Sequence, residues 1–167
     1  MGTRGNQAPL FKRMYTLTFA TEMRTSQEAL WRFHNSTDAL TRITPPGTKV
    51  RLLDPPTQLF AGVVFTLIVS QPPIYLPLRW RCEFTHYEPP SRFVDRQVPG
   101  NGPFALWEHE HRFEALGPNR SRLVDTITYT PPLGPLGRLA DALFIRRQLI
   151  QMFAHRHRLT KEALETV

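Results

Sequence analysis

Between Pro90 and Pro131 the chain carries strand patterns whose inward faces are too polar for an ordinary core. In Phe104-Ala-Leu-Trp-Glu-His-Glu-His-Arg-Phe113, alternation puts Trp107, His109, His111 and Phe113 on one face and Leu106, Glu108, Glu110 and Arg112 on the other. That period belongs to a half-buried antiparallel strand, because successive side chains point to opposite sides of a pleated backbone. The run Ser121-Arg-Leu-Val-Asp-Thr-Ile-Thr-Tyr129 repeats it, with Leu123, Asp125, Ile127 and Tyr129 together. Imidazoles and a carboxylate on an apolar face have to be paired with one another, or face water or a ligand. A hydrogen-bonded knot and a ligand cavity are therefore the two structures this pattern permits.

The turns set a register. Centring the hairpin on Gly117-Pro118-Asn119 places His111 opposite Asp125 and Trp107 opposite Tyr129. The preceding strand, Arg92 to Val98, turns through Pro99-Gly-Asn-Gly-Pro103 and brings Phe93, Asp95 and Gln97 to the histidine face, with Asp95 near Trp107. One strand earlier, Trp80, Cys82, Phe84 and His86 alternate with Arg79, Arg81, Glu83 and Thr85.

The rest of the chain supplies the elements that enclose such a face. Residues 1–12 read as a loose arm and Met14–Ala20 as a first strand. Thr25-Ser-Gln-Glu28 reads as a capping box opening a helix, with Leu30 and Phe33 at core spacing. Ser36 can cap a second short helix from Thr37 to Ile43, stopped by Pro45-Pro46. Strands follow at Thr48–Leu53 and Phe60–Ser70, the latter a buried strand by its apolar run. After Pro135 a long helix carries a stripe of Leu139, Leu143, Ile150 and Phe153, widened by Ala142, Ile145, Leu149 and Met152. The order is strand, two short helices, six strands and a long helix, within one domain spanning residues 1–167. An antiparallel sheet with one solvated face needs a cover on the other, and the last helix provides it.

This order resembles the helix-grip fold of the START-like (SRPBCC) superfamily, which includes polyketide cyclase/dehydrase-like proteins. Phe93-Val-Asp-Arg-Gln97, Gly102 to Phe113 and Leu123-Val-Asp-Thr-Ile-Thr-Tyr-Thr-Pro-Pro132 are similar to a bacterial ligand-binding subgroup of it, in the Trp-x-His-x-His-x-Phe and Asp-x-x-x-Tyr strands. The resemblance implies an α+β fold in which a curved antiparallel sheet of about seven strands wraps a long C-terminal helix. It also implies an apolar ligand such as a lipid, polyketide or quinone-like molecule, with only some members being enzymes.

The expected function is binding of an apolar or aromatic small molecule. Trp80, Phe84, Phe93, Trp107 and Tyr129 line the expected cavity, and Asp95, His109, His111 and Asp125 orient the ligand's polar end. A cyclase/dehydrase-type enzyme is the alternative. His109 or His111 would then be the base, Asp125 its orienting carboxylate, Asp95 a second base and Tyr129 a carbonyl polariser. His109, His111 and Asp125 are also a possible set of ligands for a divalent metal. A paired polar knot accounts for them more simply, and no metal or cofactor is assigned. Cys82 reads as a small buried hydrophobe.

The net charge of +7 is spread over the polar strand face and the last helix without a recognition motif, which argues against nucleic acid as a partner. No apolar stretch reaches membrane-spanning length, so stable insertion is not expected. Peripheral contact between the basic last helix and anionic headgroups remains a third reading. One cysteine and the lack of a signal-like N-terminus suggest a cytoplasmic protein, a monomer or homodimer.

Overall fold

The computed structural model of the chain describes residues 13–53, 55–56, 58–71 and 75–165. The arm expected over residues 1–12 lies outside them. Strand β1 (Tyr15–Met23) leads into helices α1 (Gln27–His34) and α2 (Thr37–Arg42). Strands β2 (Lys49–Leu53), β3 (Val64–Ser70), β4 (Leu78–Glu88), β5 (Arg92–Gln97), β6 (Leu106–Gly117) and β7 (Arg120–Thr130) follow. The chain then enters α3 (Gly134–Ala140), a π-helical turn (Asp141–Ile145) and α4 (Arg146–Glu165). The strands form one seven-stranded antiparallel sheet in the order β1-β7-β6-β5-β4-β3-β2. This is the α+β helix-grip architecture: a curved sheet holding the last helix against its concave face.

The hairpin register is as the turn implies, with His111 opposite Asp125 and Trp107 opposite Tyr129. On β5 the pairing differs from the sequence reading, since Asp95 faces His109 and Phe93 faces His111. Strand β4 departs from strict alternation. A bulge between Phe84 and His86 lets Tyr87 pair with Phe93, which turns His86 out to solvent. Tyr87 packs on Trp31 and donates its hydroxyl to Asn35 Oδ1 at 2.9 Å.

Two apolar clusters occupy the inner face. One joins Met23, Leu30, Trp31, Phe84, Phe93, Phe113 and Leu123; the other joins Leu17, Trp107, Ile127, Tyr129, Leu149 and Phe153. Trp31 sits edge-on to Phe113 and Phe93. It therefore anchors α1 together with Leu30, where Phe33 had been expected and is only half-buried. The helix is capped one residue later than the sequence motif implies: Ser26 Oγ accepts from the Ala29 amide at 3.2 Å. The neighbouring Gln27 instead donates to the Phe113 carbonyl at 2.6 Å.

Strand β3 starts at Val64, four residues after the expected Phe60, and is half-exposed. Gly62 breaks the run with φ +94, a left-handed conformation that suits glycine. The last helix also differs. Leu139, Leu143 and Ile150 are exposed, Leu143 to 67%, whereas Leu149, Phe153, His157 and Thr160 are buried. The π-helical turn breaks the 3.6-residue phase between Leu143 and Phe153, so one apolar stripe cannot hold through the whole segment. The turn begins at Asp141, which is itself buried and accepts the Tyr129 hydroxyl at 2.7 Å.

The basic residues of the outer strand face are largely neutralised in place. Arg92 pairs with Glu110 at 2.7 Å, Arg96 with Glu108, and Arg120 and Arg122 both reach Glu22. A lattice of this kind suits a solvated sheet face rather than a nucleic-acid surface.

Candidate functional site

The two apolar clusters are separated by a polar band in the middle of the inner face. Asp95 on β5, His109 and His111 on β6 and Asp125 on β7 meet there because each lies on the inward side of its own strand. The imidazoles are 3.7 Å apart between ring centroids and stand between the two carboxylates. Asp95 Oδ2 lies 3.5 Å from His109 Nδ1 and 3.4 Å from His111 Nε2. Asp125 Oδ1 lies 3.3 Å from His109 Nε2 and 3.0 Å from His111 Nδ1.

The other oxygen of Asp125 belongs to α4, where His157 Nε2 approaches Oδ2 at 3.1 Å. A carboxylate can only accept, so Nε2 carries the proton, and in the neutral ring Nδ1 accepts from the Thr21 hydroxyl at 2.9 Å. His157 therefore ties α4 to both β7 and β1. Sequence reasoning did not include it, because a histidine in a basic helical stretch looks like part of the solvated face.

Burial disfavours charge throughout this band, yet specific partners decide each group. Burial alone would raise the Asp125 carboxyl, but the positive charge available on His111 and then His109 holds it well below the usual range. Burial alone would lower His111, but the Asp125 charge outweighs it and the net shift is upward. His109 is lowered, first by burial and then by the charge on His111. Of the two imidazoles, His111 is thus shifted toward its protonated form and His109 toward its neutral one.

A cavity of about 190 Å³ opens in front of this band. Trp80, Phe84, Phe93, Asp95, Trp107, His109 and His111, all expected from the sequence, are on its wall. Asp125 and Tyr129 are not. Asp125 sits behind the histidines with 2% exposure, and Tyr129 is fully buried with its ring stacked on Tyr15 and its hydroxyl held by Asp141. Burial and that hydrogen bond raise the Tyr129 pKa, so it is a structural donor in this arrangement. Cys82 also lines the cavity, and burial pushes its thiol well above the ordinary value, which disfavours a nucleophilic thiolate.

Several wall residues escaped sequence reasoning. Ile43 from the end of α2, Leu67 and Val69 from β3, and Met152, Phe153 and Arg156 from α4 all contribute. Their helical or apolar-strand context resembles a plain core or surface, and only the wrapping of the sheet turns them toward one space. His34 of α1 also reaches the wall, donating Nδ1–H to the Leu30 carbonyl at 3.1 Å. Burial, reinforced by the charge of His111 and opposed by Asp125, lowers its pKa to about 3.

Asp95, His109 and His111 each offer one donor atom within 4.8 Å of the others, a set of a type and spacing that suits a divalent cation. Asp95 replaces the Asp125 of the sequence-derived set here because it faces the cavity. The same atoms already face one another as ion pairs, so a cation is not needed to account for the cluster.

A curved sheet, a covering helix and an apolar cavity with a polar floor between them define the molecule as a protein of the helix-grip fold. The family model for polyketide cyclase/dehydrase and lipid transport matches residues 23–158, and the chain belongs to that family. Solved structures with the same fold include the ZhuI aromatase/cyclase of Streptomyces sp. R1128, with 14% identity, 90% of this chain and 96% of that chain covered, and a TM-score of 0.62. A START superfamily protein of Mycobacterium smegmatis has 14% identity, covers 89% of this chain and 98% of its own, and has a TM-score of 0.65. Norcoclaurine synthase of Thalictrum flavum, in complex with dopamine and hydroxybenzaldehyde, has 13% identity, 97% and 95% coverage, and a TM-score of 0.64. No curated protein sequence matches the chain.

Removing one partner of a buried ion pair strands the other, at a cost of about 3–5 kcal/mol. Asp125→Asn is therefore expected to lose about 3 kcal/mol or more in urea unfolding, and Asp95→Asn, whose side chain is more open at 15% exposure, about 1 kcal/mol. Equal losses would contradict the placement of Asp125 at the centre of the network.

The histidines also set a pH dependence. His34 and His109 are depressed in the fold, so the unfolded chain takes up their protons first; the stability they allow is present above pH 6.5 and declines below it. His111 is raised, so its contribution is complete below pH 6.5 and lost as pH rises through its folded value. The Asp125 contribution is present above pH 3.8 and falls away in stronger acid. His34→Gln is expected to flatten the loss of stability between pH 7 and pH 5 by up to about 1.4 kcal/mol per pH unit. An unchanged slope in urea titrations at those pH values would show that His34 charges freely in the folded protein.

Proposed function

We propose that the protein binds an apolar or aromatic small molecule in the cavity between sheet and α4, with Asp95, His109 and His111 facing its polar end. The observation that carries this is the composition of the wall. Aromatic and aliphatic side chains from β3, β4, β5, β6 and α4 enclose the space, and a few polar groups converge at one place on it. An engineered apolar cavity of about 150 Å³ already accommodates benzene, so about 190 Å³ suffices for a ring-sized body. The presence of two aromatic molecules in the Thalictrum flavum enzyme supports the same use of this fold here. Catalysis of the cyclase/dehydrase type, with His109 or His111 as base, would need a substrate carbonyl within reach of that imidazole.

The neutral dye N-phenyl-1-naphthylamine tests the cavity directly. Wild-type protein should give saturable, one-to-one fluorescence enhancement, and Leu67→Trp, which fills the space from β3, should weaken it about tenfold or more. Absence of saturable binding, or binding indifferent to Leu67→Trp in a folded variant, rejects the cavity as a ligand site.

A second use of the fold has its own supporting observation. Leu133, Leu136, Leu139, Leu143 and Phe144 project from α3 and the π-helical turn, each more than half exposed. Arg138, Arg146 and Arg147 accompany them without an ion pair among the described residues, and the acidic member of the segment, Asp141, is buried. Exposed apolar side chains interleaved with unpaired arginines suit the interface of an anionic lipid surface. No helix among the described residues is long and apolar enough to cross a membrane. Pelleting with phosphatidylglycerol vesicles, reversed by salt and abolished by Arg146→Glu with Arg147→Glu, is the expected behaviour. Undiminished pelleting of that variant excludes the electrostatic contact.

A further inference from the structure

We infer that the occupant of the cavity carries an anionic oxygen group, a carboxylate by preference, and that the guanidinium of Arg156 is its anchor. This rests on the cavity being a ligand site, and it adds the chemical class of the ligand.

Arg156 lies on the cavity wall beside Met152 and Phe153, with its guanidinium carbon 5.4 Å from the centroid of the Phe153 ring. Its Nε is buried and has no hydrogen-bond partner. Among the described residues no carboxylate comes within 4 Å of it. Several arginines on the protein surface do have such a partner: Arg92, Arg96, Arg120, Arg122 and Arg158 each pair with a glutamate. Exposed arginines need partners least, because water solvates them; Arg156 is half-buried on the cavity wall with its Nε out of contact with water.

A charge held even partly away from water carries a desolvation cost, so such a group normally has a partner. Burial lowers the Arg156 pKa, with Asp125 and Asp95 opposing at longer range. Those two carboxylates do not complete it. Asp125 is shared among His109, His111 and His157, and Asp95 between His109 and His111. The guanidinium therefore keeps a planar fork of N–H donors for something that enters the cavity, and a carboxylate matches that fork with two parallel hydrogen bonds. The adjoining aromatic wall takes the body of the same molecule. Together these describe an aromatic or branched apolar acid.

The test compares 2-naphthoate with 2-naphthamide, which share an aromatic body and differ in charge, by isothermal titration calorimetry against wild type and Arg156→Met. Charge-assisted hydrogen bonds to an arginine predict that wild type prefers the acid by about tenfold or more. The preference should disappear in Arg156→Met, and that variant should melt no lower than wild type, since methionine removes an uncompensated charge while keeping the apolar stem. Equal affinities in wild type, or a preference that survives the substitution, overturn the inference. So does a variant that melts well below wild type, because Arg156 would then be holding the fold. Binding of the neutral dye without any preference for the acid defeats this inference alone. Failure of the dye and of both naphthalene compounds defeats the cavity as well.

Discussion

Asp125 is the group on which the arrangement of the inner face depends. It sits in the middle of β7 with no access to water, and a carboxylate there is tenable only if its charge is answered. Two answers come from β6, through His109 and His111, and the third comes from α4, through His157. One oxygen is given to the sheet and the other to the helix. The grip of sheet on helix is thus polar at its centre, where a purely hydrophobic seam would leave the rotation of α4 less determined. Thr21 and the Phe19–Phe153 stack extend the same contact to β1.

Around that centre the apolar groups divide into two clusters, one beneath α1 and one beneath the start of α4. The cavity lies where they fail to meet. Its floor is polar because the inner positions of β5 and β6 at that level are Asp95, His109 and His111, and its far wall is formed by the half-exposed β3. Rigid aromatic pairs such as Trp80 with Trp107 and Phe84 with Phe93 hold the walls apart. Arg156 reaches the wall of this space from the helix, with no carboxylate within ion-pair distance among the described residues.

Much of the sheet was legible because its information is local. Period-two alternation assigned the faces of β6 and β7 without any knowledge of the partners, and a three-residue turn set their register. The same alternation on β6 puts Trp107, His109 and His111 on the cavity wall, whereas Asp125 and Tyr129, on the inward face of β7, lie behind it. The failures are equally physical. His86 left the inner face because a single bulge inverts alternation, and the exposed Leu143 stripe arose because a π-helical turn interrupts the helical period. Neither irregularity has a mark in the local residue pattern.

What the sequence determined by itself was the element order, the enclosed polar face and the pairing of His111 with Asp125, since each follows from backbone periodicity and nearest-neighbour turns. Only the tertiary structure decided how deep each polar residue lies along the normal to the sheet. It placed Tyr129 and Asp125 behind the wall, brought His157 onto Asp125 from 32 residues away, and turned Arg156 into the cavity. Those outcomes depend on sheet curvature and on the rotation of α4, which are settled by the packing of many side chains together rather than by any one segment.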